Sequence, residues 1–304
     1  MSSTQVPDVT TPPAPPIAPP MQRGWPRPRG SHLTRAIYLL VLSGLTVLFL
    51  YPFVWAVSAS LKPRESVFDN KLIPSDWAPE NYRKVWEAAK LTTWLINSLE
   101  VGFLAAASVT LSSAIVAFGF AYFRFPGRNL LFGLVLATMM LPFAVTMIPV
   151  FLIWNELGLV NTKFPLWAGN LFGSAFYIFL LRQFFLGIPR ELFEAARVDG
   201  DNFFTMFWRI AMPLAKPALI VAFIFELQAS WNDLIKPLIY LQDQNLYTIP
   251  LGLKTILDGF GQSNEMQWEI VIAATVITTV PMILIFFLGQ RYFVEGIATS
   301  GRKG

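Results

Sequence analysis

The sequence predicts an all-α polytopic membrane protein with six transmembrane helices. Its 304 residues are 54% hydrophobic and only 14% charged, and the mean hydropathy is +0.51. Soluble domains carry about 25% charged residues. The apolar residues are concentrated in blocks, and a block of about 20 apolar residues is long enough for a helix to cross a bilayer core. A membrane bundle therefore explains both the composition and the pattern.

Six apolar segments of suitable length follow one another along the chain. They are residues 36–60, 95–123, 129–155, 164–181, 217–240 and 270–290. The third segment contains Pro142 and Pro149, and the sixth contains Pro281. Neighbouring helices in a membrane can satisfy the carbonyl groups that a proline leaves without a donor. We therefore expect kinks at these prolines and not helix breaks.

The second segment carries small residues at helical spacing, namely Ala105, Ser108, Ser112 and Gly119. Small residues let transmembrane helices approach closely, because lipid offers no hydrophobic drive for their association. This helix is predicted to lie inside the bundle.

The segments between and beyond the spans divide the chain into four parts. Nine of the 23 prolines fall in the first 30 residues, a composition that favours extended, unfolded chain. The predicted organisation is a disordered Pro-rich cytoplasmic tail (1–35), a first transmembrane helix with an external loop (36–94), a five-helix core (95–291) and a cytoplasmic C-terminal tail (292–304).

The distribution of lysine and arginine predicts the orientation in the membrane. With the N-terminus inside, 14 basic residues fall in the inner segments and nine outside. Six of the nine lie in the long connection 61–94, where the positive-inside rule weakens. Both termini are therefore predicted to be cytoplasmic, with the connections 124–128 and 182–216 inside and the connections 61–94 and 241–269 outside.

Several function classes are excluded by composition. The chain has no cysteine and one histidine, His32, so thiolate chemistry, histidine-based metal sites and a Ser-His triad are not expected. No Gly-rich phosphate loop of the GxxxxGK[ST] type occurs, so the chain has no nucleotide site of that kind. The net charge of +4 is explained by basic residues beside membrane spans, and we expect no nucleic-acid partner. Most enzyme chemistry is therefore excluded, although chemistry by carboxylates is not.

The connection 189–213 predicts two short helices. Pro189 suits the first turn of a helix, and Gly200 suits a left-handed turn at its end. Asp201 or Asn202 can cap a second helix, which is predicted to run from Phe203 to Ile210 and to stop before Pro213. From the residues alone, this unit either protrudes as a docking element or lies among the lipid headgroups.

The same connection carries a recognisable motif. It reads Glu194-Ala195-Ala196, then Asp199-Gly200, then IAMP at 210–213. This pattern resembles the EAA loop of permease subunits in binding-protein-dependent ABC importers. Further segments are similar to the carbohydrate branch of that family, the maltose and glycerol-phosphate type: LINSL at 95–99, PVFLIWNELGLVNT at 149–162, WNDLIKPLIYL at 231–241, YTIPLGL at 247–253 and QRYFVEGIATSGRKG at 290–304.

This resemblance implies a type I ABC importer permease fold and a defined set of partners. Loop 189–213 would dock on an ABC ATPase dimer, with coupling residues Glu194, Ala195, Ala196, Asp199 and Gly200. The resemblance also implies a second homologous permease subunit and an extracytoplasmic sugar-binding protein. The complex would lie among membrane lipid in the cytoplasmic membrane of a prokaryote. The chain itself would bind no cofactor, with ATP and Mg held by the partner ATPase.

Polar residues in the fifth span are candidates for the translocation pathway. Glu226 lies near mid-span, where ionisable groups usually face a cavity or a partner. A pathway-facing position and a hydrogen bond between subunits both fit Glu226. Asp233 and Lys236 are predicted to continue the helical face of Glu226. They are three residues apart and can pair. Trp231 and Asn232 are residue types that sugar sites use, although a tryptophan at a span end also suits the membrane interface.

Two other functions compete with that of an importer permease. A self-contained secondary transporter would use Glu226 and Asp233 as ion carriers, and a membrane-embedded transferase would use carboxylates. The six spans show no inverted internal repeat, and no loop concentrates carboxylates. A docking loop has a purpose only in the importer.

Overall fold

The structure is a computed structural model that describes residues 32–261 and 267–300. These ranges consist of helices and the segments that connect them, and they contain no β-strand. In chain order the helices are α1 (His32–Ser60), α2 (Glu80–Ala88), α3 (Leu91–Tyr122), α4 (Arg128–Thr138), α5 (Phe143–Glu156), α6 (Phe164–Trp167), α7 (Ala175–Leu186), α8 (Arg190–Val198), α9 (Phe203–Met206), α10 (Met212–Leu214), α11 (Lys216–Trp231), α12 (Ile235–Tyr240), α13 (Ile249–Gly261) and α14 (Trp268–Ser300). Short 3-10 turns cover Arg64–Ser66 and Ala168–Phe172, and a π-helical turn covers Phe207–Ala211. The all-α prediction is confirmed.

The chain divides into two units between Pro52 and Phe53. In the first unit, residues 32–52 of α1 are exposed along their whole length. They are also strongly apolar, as expected for a helix that faces lipid or another protein.

The predicted spans correspond to the long helices and bent helix pairs. Helices α1, α3 and α14 are each long and apolar enough to cross a membrane. Three bent pairs qualify when each is counted as one span: 128–156, 164–186 and 203–231. The part of the chain described here thus holds up to six candidate spans. Five match predicted segments, whereas 203–231 overlaps the predicted segment 217–240 only from residue 217 to residue 231.

The expected behaviour of the prolines is confirmed at two positions and wrong at a third. Helix α5 continues through Pro149, and α14 continues through Pro281. At Pro142 the helix is broken. Helix α4 ends at Thr138, α5 begins at Phe143, and the two helices are bent by 95° relative to each other. Proline lacks the N–H that would bond to Thr138 and disfavours helical backbone at the residue before it.

The second unit is built around α3, which packs against α7 and α11. Small residues on α3 permit its close contact with neighbouring helices. A methyl group added to Gly102 would lie 2.8 Å from the side chain of Leu227 on α11, and Ala105 is buried. Of the predicted small residues, Ala105 thus lies in a close packing contact, whereas a methyl group at Gly119 would meet no neighbouring atom.

Two helices lie in connections that had been predicted as external loops. Helix α2 packs against α14, and α13 packs against α3. A methyl group at Gly252 of α13 would lie 2.2 Å from the Trp94 ring, so glycine permits the contact.

The predicted tails differ from the helix ends. Helix α1 already begins at His32, and α14 continues to Ser300, past the predicted end of the last span. The tail prediction for residues 1–31 and for 301–304 lies outside the described residues, as does the segment 262–266 of the predicted external connection 241–269.

Candidate functional site

Helix α8 is a short helix with well-defined ends. Glu191 lies in its first turn and Arg197 in its last, so both charges interact favourably with the helix dipole. At its end the N–H of Gly200 donates to the carbonyl of Arg197 at 3.2 Å, and that of Asp201 donates to Ala196 at 2.9 Å. This bond pattern is a Schellman motif. Gly200 has a φ of +89°, so the predicted left-handed turn is confirmed.

The helix is held to the bundle by one face. Phe193 and Ala196 are buried, and the Phe193 ring lies 5.9 Å from that of Phe118 and 5.1 Å from that of Tyr122. Both partners belong to α3. Helix α8 is therefore packed directly against the central helix of the bundle.

The opposite face of α8 is open. Glu194, Ala195, Asp199 and Gly200 are exposed, whereas Ala196 is a packing residue. Val198 is 88% exposed. Of the five predicted coupling residues, four therefore lie on a surface that a partner can reach.

A second helical segment follows the turn. The Asn202 side chain accepts a hydrogen bond from the N–H of Thr205 at 2.8 Å, so Asn202 caps α9. The segment does not stop before Pro213, since a π-helical turn and α10 extend it to Leu214. It then bends by 78° into α11. Pro213 is tolerated because it lies at the start of α10.

This second segment is also tied to α3. The ring of Phe203 lies 4.9 Å from that of Phe123, and the Tyr122 hydroxyl donates to Met206 Sδ at 3.8 Å. The two short helices are thus anchored to the end of α3 by aromatic packing.

A polar site lies deeper in the bundle, around Glu226. The side-chain amide of Asn170 donates to Glu226 Oε1 at 2.6 Å and to the carbonyl of Ala105 at 3.2 Å. The carbonyl of Asn170 accepts from Ser112 Oγ at 2.9 Å. The phenol of Tyr177 also interacts with Glu226. Asn170 therefore joins three elements: α3, α11 and the 3-10 turn in which it lies.

A cavity of about 120 Å³ lies beside this network. It is lined by aromatic, apolar and polar side chains: Phe143, Thr146, Met147, Val150, Trp154, Pro165, Leu166, Asn170, Lys236, Ile239 and Tyr240, with Gly169. Aromatic faces with amide and hydroxyl groups are suited to binding a carbohydrate.

The other polar residues of the predicted fifth span do not lie on one helical face. Helix α11 ends at Trp231, so Asp233 does not continue the face of Glu226, and this expectation is wrong. Asp233 instead caps α12, because its carboxylate accepts from the N–H of Ile235 at 3.0 Å. Its predicted pairing with Lys236 is confirmed at 3.4 Å.

Trp231 and Asn232 lie apart from the cavity. Trp231 is 4% exposed and packs in a cluster with Leu91 and Trp94. Asn232 is exposed, and its amide donates to the carbonyl of Gln228 at 2.8 Å. The cavity is thus lined by Lys236 and joined to Glu226 through Asn170, but Trp231 and Asn232 do not line it.

Sequence reasoning missed Asn170, Tyr177 and Phe193. Asn170 is an amide inside an apolar segment, and polar groups there usually have a buried partner. A search for amides as well as charges would have found it. Phe193 carried no signal, because aromatic residues are common throughout this chain.

Comparisons with known proteins show the family of this chain. Residues 92–299 match a family described as "Binding-protein-dependent transport system inner membrane component". The chain is 35% identical over 259 residues to a probable ABC transporter permease protein of Bacillus subtilis, covering 84% of each chain. It is 32% identical to an arabinooligosaccharides transport system permease protein of Halalkalibacterium halodurans, covering 88% of this chain and 96% of the relative.

A solved structure is similar over nearly the same length. It is a chain of a bacterial ABC transporter involved in the import of the acidic polysaccharide alginate. The TM-score is 0.76 at 25% identity, and the match covers 88% of this chain and 99% of the other.

Proposed function

Because the chain belongs to the family of binding-protein-dependent transport system inner membrane components, we propose that it is the permease subunit of an ATP-driven carbohydrate importer. It provides part of the path across the cytoplasmic membrane. The similarity to an arabinooligosaccharide permease and to an alginate importer supports a saccharide as the substrate.

The single observation that carries the mechanism is the construction of α8. Its outer face exposes Glu194, Ala195 and Asp199, while its inner face inserts Phe193 between aromatic rings of α3. A partner that binds the outer face can therefore move the central helix. We assign the ATPase dimer as this partner, because the chain has no phosphate loop of its own.

The remaining partners follow from the same assignment. ATP and Mg are held by the ATPase, and this chain binds no cofactor and has no enzymatic centre. A second, homologous permease completes the pathway, and an extracytoplasmic binding protein delivers the sugar. The long exposed apolar surface of α1 is consistent with contact to lipid or to the second permease.

The pathway within this chain is assigned to Glu226 and its surroundings. Asn170 connects the carboxylate to the 120 Å³ cavity, since Asn170 both bonds Glu226 and lines the cavity. A polar network next to an aromatic-lined cavity within an apolar bundle supports this role. Trp231 contributes packing, and Asn232 lies on an exposed helix end.

In the orientation proposed from the basic residues, α8 and both termini lie in the cytoplasm. A single cysteine at Val198 tests this, since the chain has no native cysteine and Val198 is 88% exposed. A membrane-impermeant thiol reagent added to intact cells should label Asp76→Cys, in the external connection, and not Val198→Cys. The reverse labelling pattern would overturn the orientation.

The coupling role is tested by reversing a charge on the outer face of α8. We expect Glu194→Lys to reduce sugar-stimulated ATP hydrolysis by the assembled complex while the binding protein retains its sugar affinity. Glu87→Lys, an exposed charge reversal on α2, is the matched control and should leave hydrolysis unchanged. Normal coupling in Glu194→Lys would contradict the docking assignment.

A further inference from the structure

A basic cleft lies where α3 ends and α4 begins. Its volume is about 340 Å³. It is lined by Arg124, Phe125, Gly127, Arg128, Asn129 and Leu130. The Phe123–Phe203 ring contact places this end of α3 beside α9, so the cleft lies at the same end of the bundle as the coupling loop.

Two arginines near the cleft, Arg128 and Arg182, have uncharged partners. Arg128 Nη1 donates to the carbonyl of Phe123 at 3.2 Å. Arg182, on α7, lies 4.1 Å from the centre of the Phe132 ring, and its Nε donates to the carbonyl of Phe120 at 3.4 Å. A guanidinium has five donor hydrogens, so each retains most of its capacity.

These positive charges have no acidic counterpart. In residues 32–261 and 267–300, neither Arg124, Arg128 nor Arg182 forms an ion pair with a carboxylate. Arg124 and Arg128 both line the same cleft. Like charges held together without a carboxylate favour binding of an anion, and guanidinium groups bind phosphate through paired hydrogen bonds.

The surface next to the cleft is apolar. Leu130 lines the cleft and is 70% exposed, and Leu134, one helical turn further along α4, is 56% exposed. Residues four apart lie on the same helix face. The ligand that fits both features has an anionic head and a hydrocarbon tail.

We propose that the basic cleft binds the phosphate headgroup of an anionic phospholipid, with an acyl chain along Leu130 and Leu134. Free phosphate would use the arginines but would leave the leucines uncovered. The bound lipid would sit in the membrane leaflet next to the coupling loop and would brace the junction of α3, α4 and α7.

The test is native mass spectrometry of the assembled transporter complex in detergent, titrated with phosphatidylglycerol and, separately, with phosphatidylcholine. A basic residue at a membrane surface contributes about 1 kcal/mol to binding anionic lipid, or about fivefold in affinity. Arg124→Gln and Arg128→Gln should each weaken retention of phosphatidylglycerol by about this factor and leave phosphatidylcholine unaffected. The control Arg291→Gln, an exposed arginine on α14, should change neither.

Arg124→Gln keeps the test decisive if Arg128→Gln fails to fold. Arg124 is exposed and forms no hydrogen bond or ion pair within the described ranges, whereas Arg128 also supports the turn at Phe123. Leu134→Ser should lower lipid retention as well.

Three results would overturn the proposal. Equal retention of the two lipids in all variants would show that the cleft does not select an anionic headgroup. Displacement of phosphatidylglycerol by inorganic phosphate, with no effect of Leu134→Ser, would indicate a free-anion site. Loss of the ATPase subunit from the Arg124→Gln complex, with unchanged lipid retention, would indicate a protein contact.

Discussion

The side-chain amide of Asn170 donates a hydrogen bond of 2.6 Å to the carboxylate of Glu226, although the two residues are 56 positions apart. The bond ties α11 to the 3-10 turn between α6 and α7. It also gives the carboxylate a partner within its own subunit. An ionisable group in the middle of a bundle is costly unless it is paired or hydrated, so this bond accounts for how the fold accommodates Glu226.

The first prediction is that Asn170 and Glu226 stabilise the fold as a pair. A hydrogen bond to a charged group is worth about 1.5–3 kcal/mol, so Asn170→Ala and Glu226→Ala should show a coupling energy of that size in a double-mutant cycle. The measurement is the free energy of unfolding of the purified chain in detergent. Asn170→Ala combined with Gln228→Ala is the control and should be additive, since Gln228 is an exposed residue of α11.

Glu226→Gln separates stability from transport. The amide oxygen of glutamine can still accept from Asn170, so complex yield should remain near wild type. Transport per complex should change if the group lines the pathway. Wild-type transport with wild-type yield would contradict the pathway assignment.

The second prediction concerns the left-handed turn after α8. A side chain at Gly200 meets no neighbouring atom, so any penalty arises from its φ of +89°. Gly200→Ala should cost about 1 kcal/mol locally, and Gly200→Val should cost more. We expect stimulated ATP hydrolysis to fall in that order. Gly119→Ala also meets no neighbour but has ordinary helical backbone, so it should leave hydrolysis unchanged.

The third prediction is that Phe193 transmits movement from α8. Its buried ring packs on Phe118 and Tyr122, and truncation of such a ring to alanine costs about 3–5 kcal/mol. Phe193→Ala should therefore allow ATP hydrolysis without transport, because the packing contact between α8 and α3 is lost. The neighbouring residue Leu192 is exposed, so Leu192→Ala should retain coupling. Tight coupling in Phe193→Ala would refute this route.

The fourth prediction concerns pH and the connection 61–79. The Lys62 side chain is buried, pairs with the Asp69 carboxylate and donates to the carbonyl of Lys71 at 2.6 Å. The bond from Lys62 lowers the pKa of Asp69 below its ordinary value of 3.8. A lowered folded-state pKa stabilises the protein above the unfolded pKa, and this stabilisation is lost as the pH falls through the folded value.

Thermal unfolding of wild type and Asp69→Asn as a function of pH checks this. The wild type should be more stable at neutral pH, and the difference should shrink as the medium is acidified below the ordinary pKa of aspartate. Asp258→Asn removes the partner of Lys254 in an exposed i,i+4 pair and should have little effect at any pH. A stability difference between wild type and Asp69→Asn that persists at low pH would argue against the ion pair as its cause.

Features set by a few neighbouring residues could be predicted from the sequence. The turn at Gly200 and the cap at one of the two residues after it follow from local backbone chemistry, and both are present. The apolar segments also predicted the candidate spans, because bilayer thickness fixes their length. Composition could not distinguish a kink from a break at Pro142, since the neighbours that would satisfy the freed carbonyls are distant in sequence.

Features that depend on packing between distant segments were not predictable in this way. Trp231 lies at the end of a span, which suggested the membrane interface, but it is covered by a cluster that includes residues of α2, α13 and α14. Two of these helices lie in stretches that looked like loops. The partnership of Asn170 with Glu226 likewise exists only once α11 and the turn before α7 are packed against α3.

The central claim is that this chain moves a saccharide only when a partner ATPase drives it. The most direct measurement is uptake of labelled oligosaccharide into proteoliposomes, with ATP inside and the loaded binding protein outside. The complete complex should accumulate sugar, whereas this chain alone should show no uptake, with ATP or with an ion gradient. Gradient-driven uptake by the purified chain alone would contradict the account and favour a secondary transporter that uses Glu226.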